Sequence, residues 1–434
     1  MRGRNAAELA DDIELRVAHL ELSPGDRLPP VRVLAAELDL APNTVAAAYR
    51  RLGERGIAIG RGRMGTFITE RPPTMIATDP MVRDGLLNLA SGNPDPDLLP
   101  DLNDALRASG GSTILYGDRS IDEGLAEQAT RLLAADGVST DHLTVVSGGL
   151  DGMERVLQAH LRRGDRVAVE DPSYPPVIDL AGALGLVAVP MAIDDEGPRP
   201  ESFDGALSSG AVAVVVTPRS QNPFGSAVSA DRASILRSML GEFPNVLVIE
   251  DDHAAAVSGS PMHSIATDRE HWATIRSAAK TYGPDVRLAL LAGDATTVRR
   301  VEGRQRLGPG WVSHVLQRLV ARMMQDPDVN QKVARAAGLY ASRRRAMLDA
   351  LRAVGLEAHG ASGLNVWVPV PDESVAVRTM EEQGIAIRAG SRSRIGSAPG
   401  VRLTVASLDE SEASDVAAAL HRAVSELGPG TRSG

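Results

Sequence analysis

The sequence predicts two folds in one chain: a small helical unit with a β wing, then an α/β body on a mostly parallel, doubly wound sheet. Two observations carry this. Helical periodicity and Gly/Pro breaks divide the first seventy residues into three short helices and two short strands. Further on, β-branched apolar runs alternate with helical patterns, as expected of strands covered on both faces by helices. A third observation points to chemistry. Of 46 Lys+Arg only Lys280 and Lys332 are lysines. Position 280 thus keeps an amine where the chain otherwise writes positive charge as guanidinium, which cannot readily lose a proton and attack a carbonyl.

In the first unit, Leu9, Ile13, Val17 and Leu20 recur at helical spacing, and "SPGDRLPP" ends that pattern. Val31, Leu34, Ala35 and Leu38 mark a second helix. A third begins near Pro42 and Asn43, with Val45, Tyr49 and Leu52 facing inward. Asn43, Thr44, Ala47, Arg50 and Arg51 are left on its outer face. "IAIGRGRMGTFITE" reads as two strands around a tight Gly/Arg turn. This order describes a winged helix-turn-helix, whose third helix enters the major groove of DNA. Asn and Thr suit base edges; Arg32, Arg50 and Arg51 suit phosphates or guanine. Between Ala41 and Thr69 arginines 50, 51, 55, 61 and 63 face only Glu54, a basic patch on a chain of net charge −10. Arg61 and Arg63 in the turn suit a minor groove or a phosphate. The same periodicity also fits a small helical protein-interaction module.

Proline-rich residues 71–86 are expected to be a linker between a 1–70 DNA-binding domain and the body. Strands are expected at 143–148, 166–171, 186–191, 211–218, 246–252 and 288–293, with helices at 150–163 and 230–243 between them. The body is expected to comprise a large domain, 87–310, and a small C-terminal α/β domain, 311–434. The absence of cysteine excludes disulfides and thiolate metal sites, and no metal site is expected. No apolar run approaches membrane length and the start lacks a signal-peptide core, so a cytoplasmic protein without membrane contact is expected.

Ligands bind beyond the carboxyl ends of strands in such sheets. Following these runs are Gly148 and Gly149, Tyr174, Asn222, then Asp251, Asp252 and His253; "WATIRSAA" ends at Lys280. These groups suit pyridoxal 5′-phosphate (PLP). A lysine amine forms a Schiff base with its aldehyde, and a carboxylate faces the ring nitrogen. An aromatic ring stacks on the pyridine, while helix-start amides, a hydroxyl and an arginine take the phosphate. Lys280, Asp251, Tyr174, Gly148, Gly149, Ser277 and Arg287 supply these parts. Taken singly, the aspartates also suit a helix cap or a metal, and Tyr174 a loop anchor.

The segment "PGDRLPPVRVLAAELDLAPNTVAAAYRRLGERGIAIGRGRMGTFI" resembles the GntR-type winged helix. That resemblance implies DNA contacts by Arg32, Asn43, Thr44 and Arg50, with Gly65 at the wing tip. "YGD" (116–118), "VSGGLDG" (146–152), "VEDPSYPP" (169–176), "TPRSQNPFG" (217–225), "VIEDDH" (248–253), "SAAKTYGPDVR" (277–287) and "VRLTVA" (401–406) resemble a fold-type I aminotransferase. Together the halves resemble the MocR/GabR subgroup of GntR regulators, and "LASGNPDPDLLPDL" resembles its PtsJ-like branch, associated with vitamin B6 salvage. The resemblance implies Lys280 as Schiff-base lysine, Asp251 at the ring nitrogen, and Asn222 and His253 at the ring oxygen. Tyr174 would stack, and Ser277, Arg287 and the amides near Gly148 would hold the phosphate. Tyr116 would reach the phosphate of a neighbouring subunit, implying a homodimer, and Arg402 would grip a substrate carboxylate. It implies a regulator that binds double-stranded operator DNA and senses PLP or a PLP–amine adduct; the alternative is a working aminotransferase with an accessory DNA-binding domain. Four departures, among them "EDDHAAAV" in place of "EDDYDSEF", speak for sensing over efficient turnover, while leaving room for a half-reaction. His253 stands where the family has tyrosine, "GGL" replaces "GAQ", and two alanines precede Lys280.

Overall fold

The computed structural model describes residues 5–18, 22, 23, 25–54, 57–60, 62–69, 82, 83 and 85–425. Leu20, Arg55, Arg61, the Arg63 side chain and nearly all of the expected linker lie outside the described residues. The chain divides into two compact units. Residues 5–69 lie in the first; 85–160 and 189–425 lie in the second.

The first unit has α1 (Ala6–Ala18), α2 (Val31–Leu38), α3 (Pro42–Glu54), β1 (Ala58–Gly60) and β2 (Thr66–Ile68). Proline opens α3 because its missing N–H costs nothing in a first turn. Leu9, Ile13, Leu28, Leu34, Val45, Tyr49 and Leu52 form the core, and β1 pairs antiparallel with β2 as the wing. Tyr49 donates its hydroxyl to the Pro29 carbonyl at 2.7 Å, tying α3 to the turn before α2. Tyr49→Phe is expected to lower this unit's stability by about 1 kcal/mol, read as an earlier unfolding transition of its amides in hydrogen exchange.

The chain continues through β3 (Leu87–Asn88), α4 (Leu102–Ala108), α5 (Glu123–Ala135), β4 (Leu143–Val146), α6 (Gly149–His160), β5 (Arg166–Asp171), α7 (Pro175–Ala183), β6 (Val187–Asp194), β7 (Gly197–Pro198), α8 (Pro200–Ser208), β8 (Ala211–Val216), α9 (Ala230–Leu240), β9 (Leu247–Asp252), β10 (Trp272–Ser277), α10 (Ala279–Tyr282), β11 (Ala289–Gly293) and α11 (Ala295–Arg306). There follow α12 (His314–Gln325), α13 (Pro327–Ala353), β12 (Asn365–Pro369), α14 (Glu373–Glu382), β13 (Ile385–Ala386), β14 (Arg388–Ala389), β15 (Gly400–Thr404) and α15 (Ala413–Ser425). The eight-stranded sheet runs β4-β11-β10-β9-β8-β5-β6-β7. Strands β8, β9 and β10 are mutually parallel, whereas β11 runs antiparallel to both neighbours. Apolar side chains such as Val145, Val214, Val248 and Leu290 pack with Leu125, Phe203 and Leu236 of the helices. A three-stranded sheet, β12-β15-β14, carries a second core containing Met347, Val366, Leu403 and Leu420.

Residues 87–89, expected to open the large domain, sit elsewhere. β3 pairs parallel with β13, and Leu89 is buried in the core of the C-terminal sheet. A two-residue strand carries too little pattern to reveal its partner.

Candidate cofactor site and nucleic-acid interface

The sheet's register assembles the candidate site. Ser277, the last residue of β10, lies opposite Ala289, the first of β11, and Ala289 lies opposite Val146, the last of β4. Because β11 is antiparallel, the residues preceding it reach the same rim as the residues following its neighbours. Arg287, Ser277 and Gly148–Gly149 therefore meet. Arg287 Nη2 donates to the Ser147 carbonyl at 3.3 Å. Gly148 has φ +109°, and a Cβ there would lie 2.9 Å from Arg287 Nη2. Only glycine allows that turn and that approach. α6 begins at Gly149, so its first amides point at the same spot.

On β9, Asp251 pairs with Ile275 and Asp252 with Arg276. Successive strand residues point to opposite faces, so the two aspartates part company. Asp252 is fully buried and takes Arg219 through both oxygens, at 2.9 and 3.0 Å, and Arg276 at 2.7 Å. Both arginines also reach Asp136, at 2.8 and 2.7 Å. Burial opposes the Asp252 charge, but the two guanidinium groups outweigh it and hold its carboxyl below the usual range. Asp251 is buried on the other face, and its Oδ1 has no hydrogen-bond partner among the described residues. A Cβ on Gly149 would sit 3.5 Å from that oxygen. Burial, then the charge of Asp252, pushes the Asp251 carboxyl up to about 7.

Lys280 sits on α10, just beyond β10. Burial, then the Arg402 guanidinium, pushes its amine down to about 8, within reach of the neutral, nucleophilic form near neutral pH. Its Nζ donates to the Gly92 carbonyl at 2.5 Å. Burial, then the Lys280 charge, pushes His253 down to about 4, leaving a neutral imidazole beside the amine at neutral pH. Arg402 on β15 donates to Asn222 Oδ1 at 3.0 Å and to the Ala90 carbonyl at 2.5 Å. The turn bearing Asn222 is held by buried Glu170, which accepts from Thr217 N at 3.0 Å and Gln221 Nε2 at 3.1 Å. Tyr174 is partly exposed at the end of β5, and Tyr116 is almost wholly exposed, its ring edge-on to Trp311 at 5.5 Å.

Gly148, Gly149, Ser277, Asp251 and Arg287 thus meet on one rim, and Lys280 follows the strand that ends there, with His253 and Arg402 near its amine and Asn222 on Arg402; Tyr174 follows β5. Sequence reasoning missed the Ala90 and Gly92 carbonyls, whose only signal is the Gly/Pro-rich "SGNPDP". It also missed the Arg219–Asp252–Arg276–Asp136 cluster, because nothing local distinguishes the paired aspartate of "EDD" from the unpaired one. Among the described residues no group of three or more His, Cys, Asp or Glu could hold a metal ion, and no helix is long and apolar enough to cross a membrane.

In the first unit Arg32, Asn43, Arg50 and Arg51 are exposed and Thr44 is half-buried. Asn43, Arg50 and Arg51 lie on the side of α3 away from Val45, Ala48 and Leu52, which are buried, and Arg32 is on α2. Gly65 has φ +105°, and a Cβ there would lie 2.9 Å from Arg27 Nε. Gly65 therefore seats Arg27, a wing cation that the sequence reading did not single out.

Residues 84–420 match the family model for aminotransferases of class I and II, and residues 5–68 that for bacterial regulatory proteins of the gntR family. The chain is 39% identical to the vitamin B6 salvage pathway transcriptional repressor PtsJ of Salmonella typhimurium, over 97% of this chain and 99% of that one. It is 28% identical to the pyridoxine biosynthesis transcriptional regulator PdxR of Corynebacterium glutamicum, over 79% and 78%. The kynurenine aminotransferase of Pyrococcus horikoshii superposes with a TM-score of 0.73 at 21% identity, over 80% of this chain and 92% of that one. With a GntR winged helix joined to a class I/II aminotransferase-like body, the chain belongs to the MocR/GabR-type subgroup of GntR transcription regulators.

Proposed function

We propose that the body binds PLP and that its occupancy, by PLP or by PLP joined to a small amine, alters operator binding by a homodimer. Vitamin B6 or amino-compound metabolism is the proposed setting, in keeping with the names of the PtsJ and PdxR relatives. One observation carries the reading: a buried carboxyl oxygen without a partner, Asp251 Oδ1, lies on the same rim as a lysine amine of lowered basicity. A pyridinium N–H would satisfy that oxygen. When bound, PLP supplies an aldehyde that captures amines and a ring that withdraws electrons.

The residues present fit that group. Arg287, Ser277 and the amides at Gly148 and Gly149 would hold the phosphate, and Asn222 and neutral His253 the ring oxygen. Tyr174 would cover the ring. Exposed Tyr116 is proposed to serve the site of a second copy. Arg402 would meet a ligand carboxylate on exchanging its present acceptors. In the winged helix, Arg32, Asn43, Thr44 and Arg50 are proposed to touch DNA, with Gly65 shaping the wing.

Coupling requires the ligand to bind the DNA-competent and DNA-incompetent arrangements with different affinity. Titrating the protein's own upstream DNA with and without PLP at one fixed salt concentration tests this; an affinity change of about 5-fold or more is expected. PLP that loads on Lys280 yet leaves the titration unmoved sinks the proposal. Salt is held constant because phosphate contacts make such affinities steeply dependent on ionic strength.

A further inference from the structure

The second lysine has no part in the site described above, yet it is the chain's one other amine side chain. Lys332, on α13, donates its Nζ to the Leu99 carbonyl at 2.5 Å. Both lysines thus give their ammonium groups to main-chain carbonyls of one short segment, Lys280 at Gly92 and Lys332 at Leu99. Between these points the segment is held by α13 again. Asp95 N donates to the Tyr340 hydroxyl at 3.1 Å, and Asp95 Oδ2 accepts from Arg343 Nη1 at 2.8 Å. Lys332 and Arg343 lie about three turns apart on one face of the helix. The segment is a strap, with the Lys280 amine at one end and Lys332 at the other. The chain enters the strap directly from β3, the first strand after the expected linker.

A compact ammonium on a flexible stem suits a single carbonyl, whereas a planar guanidinium is built for forked acceptors. A carbonyl that accepts from an amine favours its charged form. Capture of an aldehyde needs the neutral amine, released from that acceptor. The strap therefore restrains Lys280. We propose that Lys332 is a positioning residue: by anchoring Leu99 it keeps the Gly92 carbonyl on the Lys280 amine and so sets how readily that amine is given up to the cofactor. The inference rests on Lys280 being the cofactor amine. The other charged or titratable groups facing that amine, Arg402 and His253, are on neither the strap nor α13.

With two lysines, full-length cofactor-free protein labelled with 13C-lysine shows two side-chain ε-carbon signals, assignable with Lys280→Ala. In Lys332→Met the Lys280 titration midpoint is expected to fall by about one pH unit, the effect of weakening a hydrogen bond to a charged group. PLP loading at pH 7 is expected to quicken roughly fivefold as the neutral amine becomes more abundant. Lys332→Arg, which keeps the charge, should move the midpoint the same way by less. A packing role alone would leave the midpoint in place and slow the loading. A midpoint that stays or rises, or slower loading, overturns the proposal. Adding PLP to the wild type separates the two readings. A Lys280 signal indifferent to PLP defeats the cofactor assignment and leaves the Lys332 result standing.

Discussion

Lys280→Ala is expected to abolish the visible absorbance of protein-bound PLP and to lower PLP affinity by roughly 100-fold or more, a loss of about 3 kcal/mol. The reason is chemical. The groups proposed for the phosphate, together with Asn222 and Asp251, remain, but no other amine side chain lies on that rim, and arginine cannot form the bond. The substitution should leave the fold intact, since it removes one hydrogen bond, to Gly92. DNA binding by the cofactor-free variant should match the wild type, and its response to PLP should be lost. Desalting after incubation with PLP, followed by a spectrum and a DNA titration at fixed salt, checks all three. A variant that retains PLP through desalting would refute the assignment of Lys280.

Asp251→Asn is expected to act with opposite signs on cofactor binding and on stability. An amide cannot offer a negative charge to a pyridinium nitrogen, so PLP binding should weaken by roughly 10- to 100-fold, the value of a charge-assisted hydrogen bond in a buried site. The cofactor-free body, however, should become more stable above neutral pH. The Asp251 carboxyl is raised from 3.8 to about 7 on folding. Below about 4 both states hold the proton and the group contributes nothing. Between about 4 and 7 the unfolded chain ionises while the folded one does not, so wild-type stability falls with rising pH. Above 7 the full penalty applies, at most about 4 kcal/mol for a displacement of this size. Asparagine does not titrate. Urea unfolding of the body should therefore show the two proteins diverging from pH 5 to pH 8, with the variant more stable by about 2–4 kcal/mol at the upper end. Parallel pH profiles would show that the Asp251 oxygen finds a partner without the cofactor.

Much of the architecture is legible in the sequence. The runs at 143–148, 166–171, 211–218 and 246–252 each became a strand of the large sheet, because strands covered on both faces by helices are apolar on both faces. The inward and outward faces of α3 followed from a period of 3.6 residues. What stayed hidden was relational. The direction of β11 is set by its neighbours, not by its own composition, and that direction is what delivers Arg287 to the Ser277 rim. β3 was invisible because two residues carry no period.

The sequence by itself determined the inventory: one lysine beyond a strand, two adjacent aspartates, a glycine turn opening a helix, and an arginine seven residues past Lys280. It did so because each chemistry demands a residue type and each strand or helix imposes a spacing. Only the tertiary structure decided how those groups are partnered. It paired Asp252 with two buried arginines and left Asp251 Oδ1 buried without a hydrogen-bond partner among the described residues. It laid the Gly92 and Ala90 carbonyls on Lys280 and Arg402, and it gave Lys332 the far end of the same strap. Partnership depends on contacts between residues distant in the chain, and the charge state of a buried group is set by those contacts rather than by its neighbours in sequence.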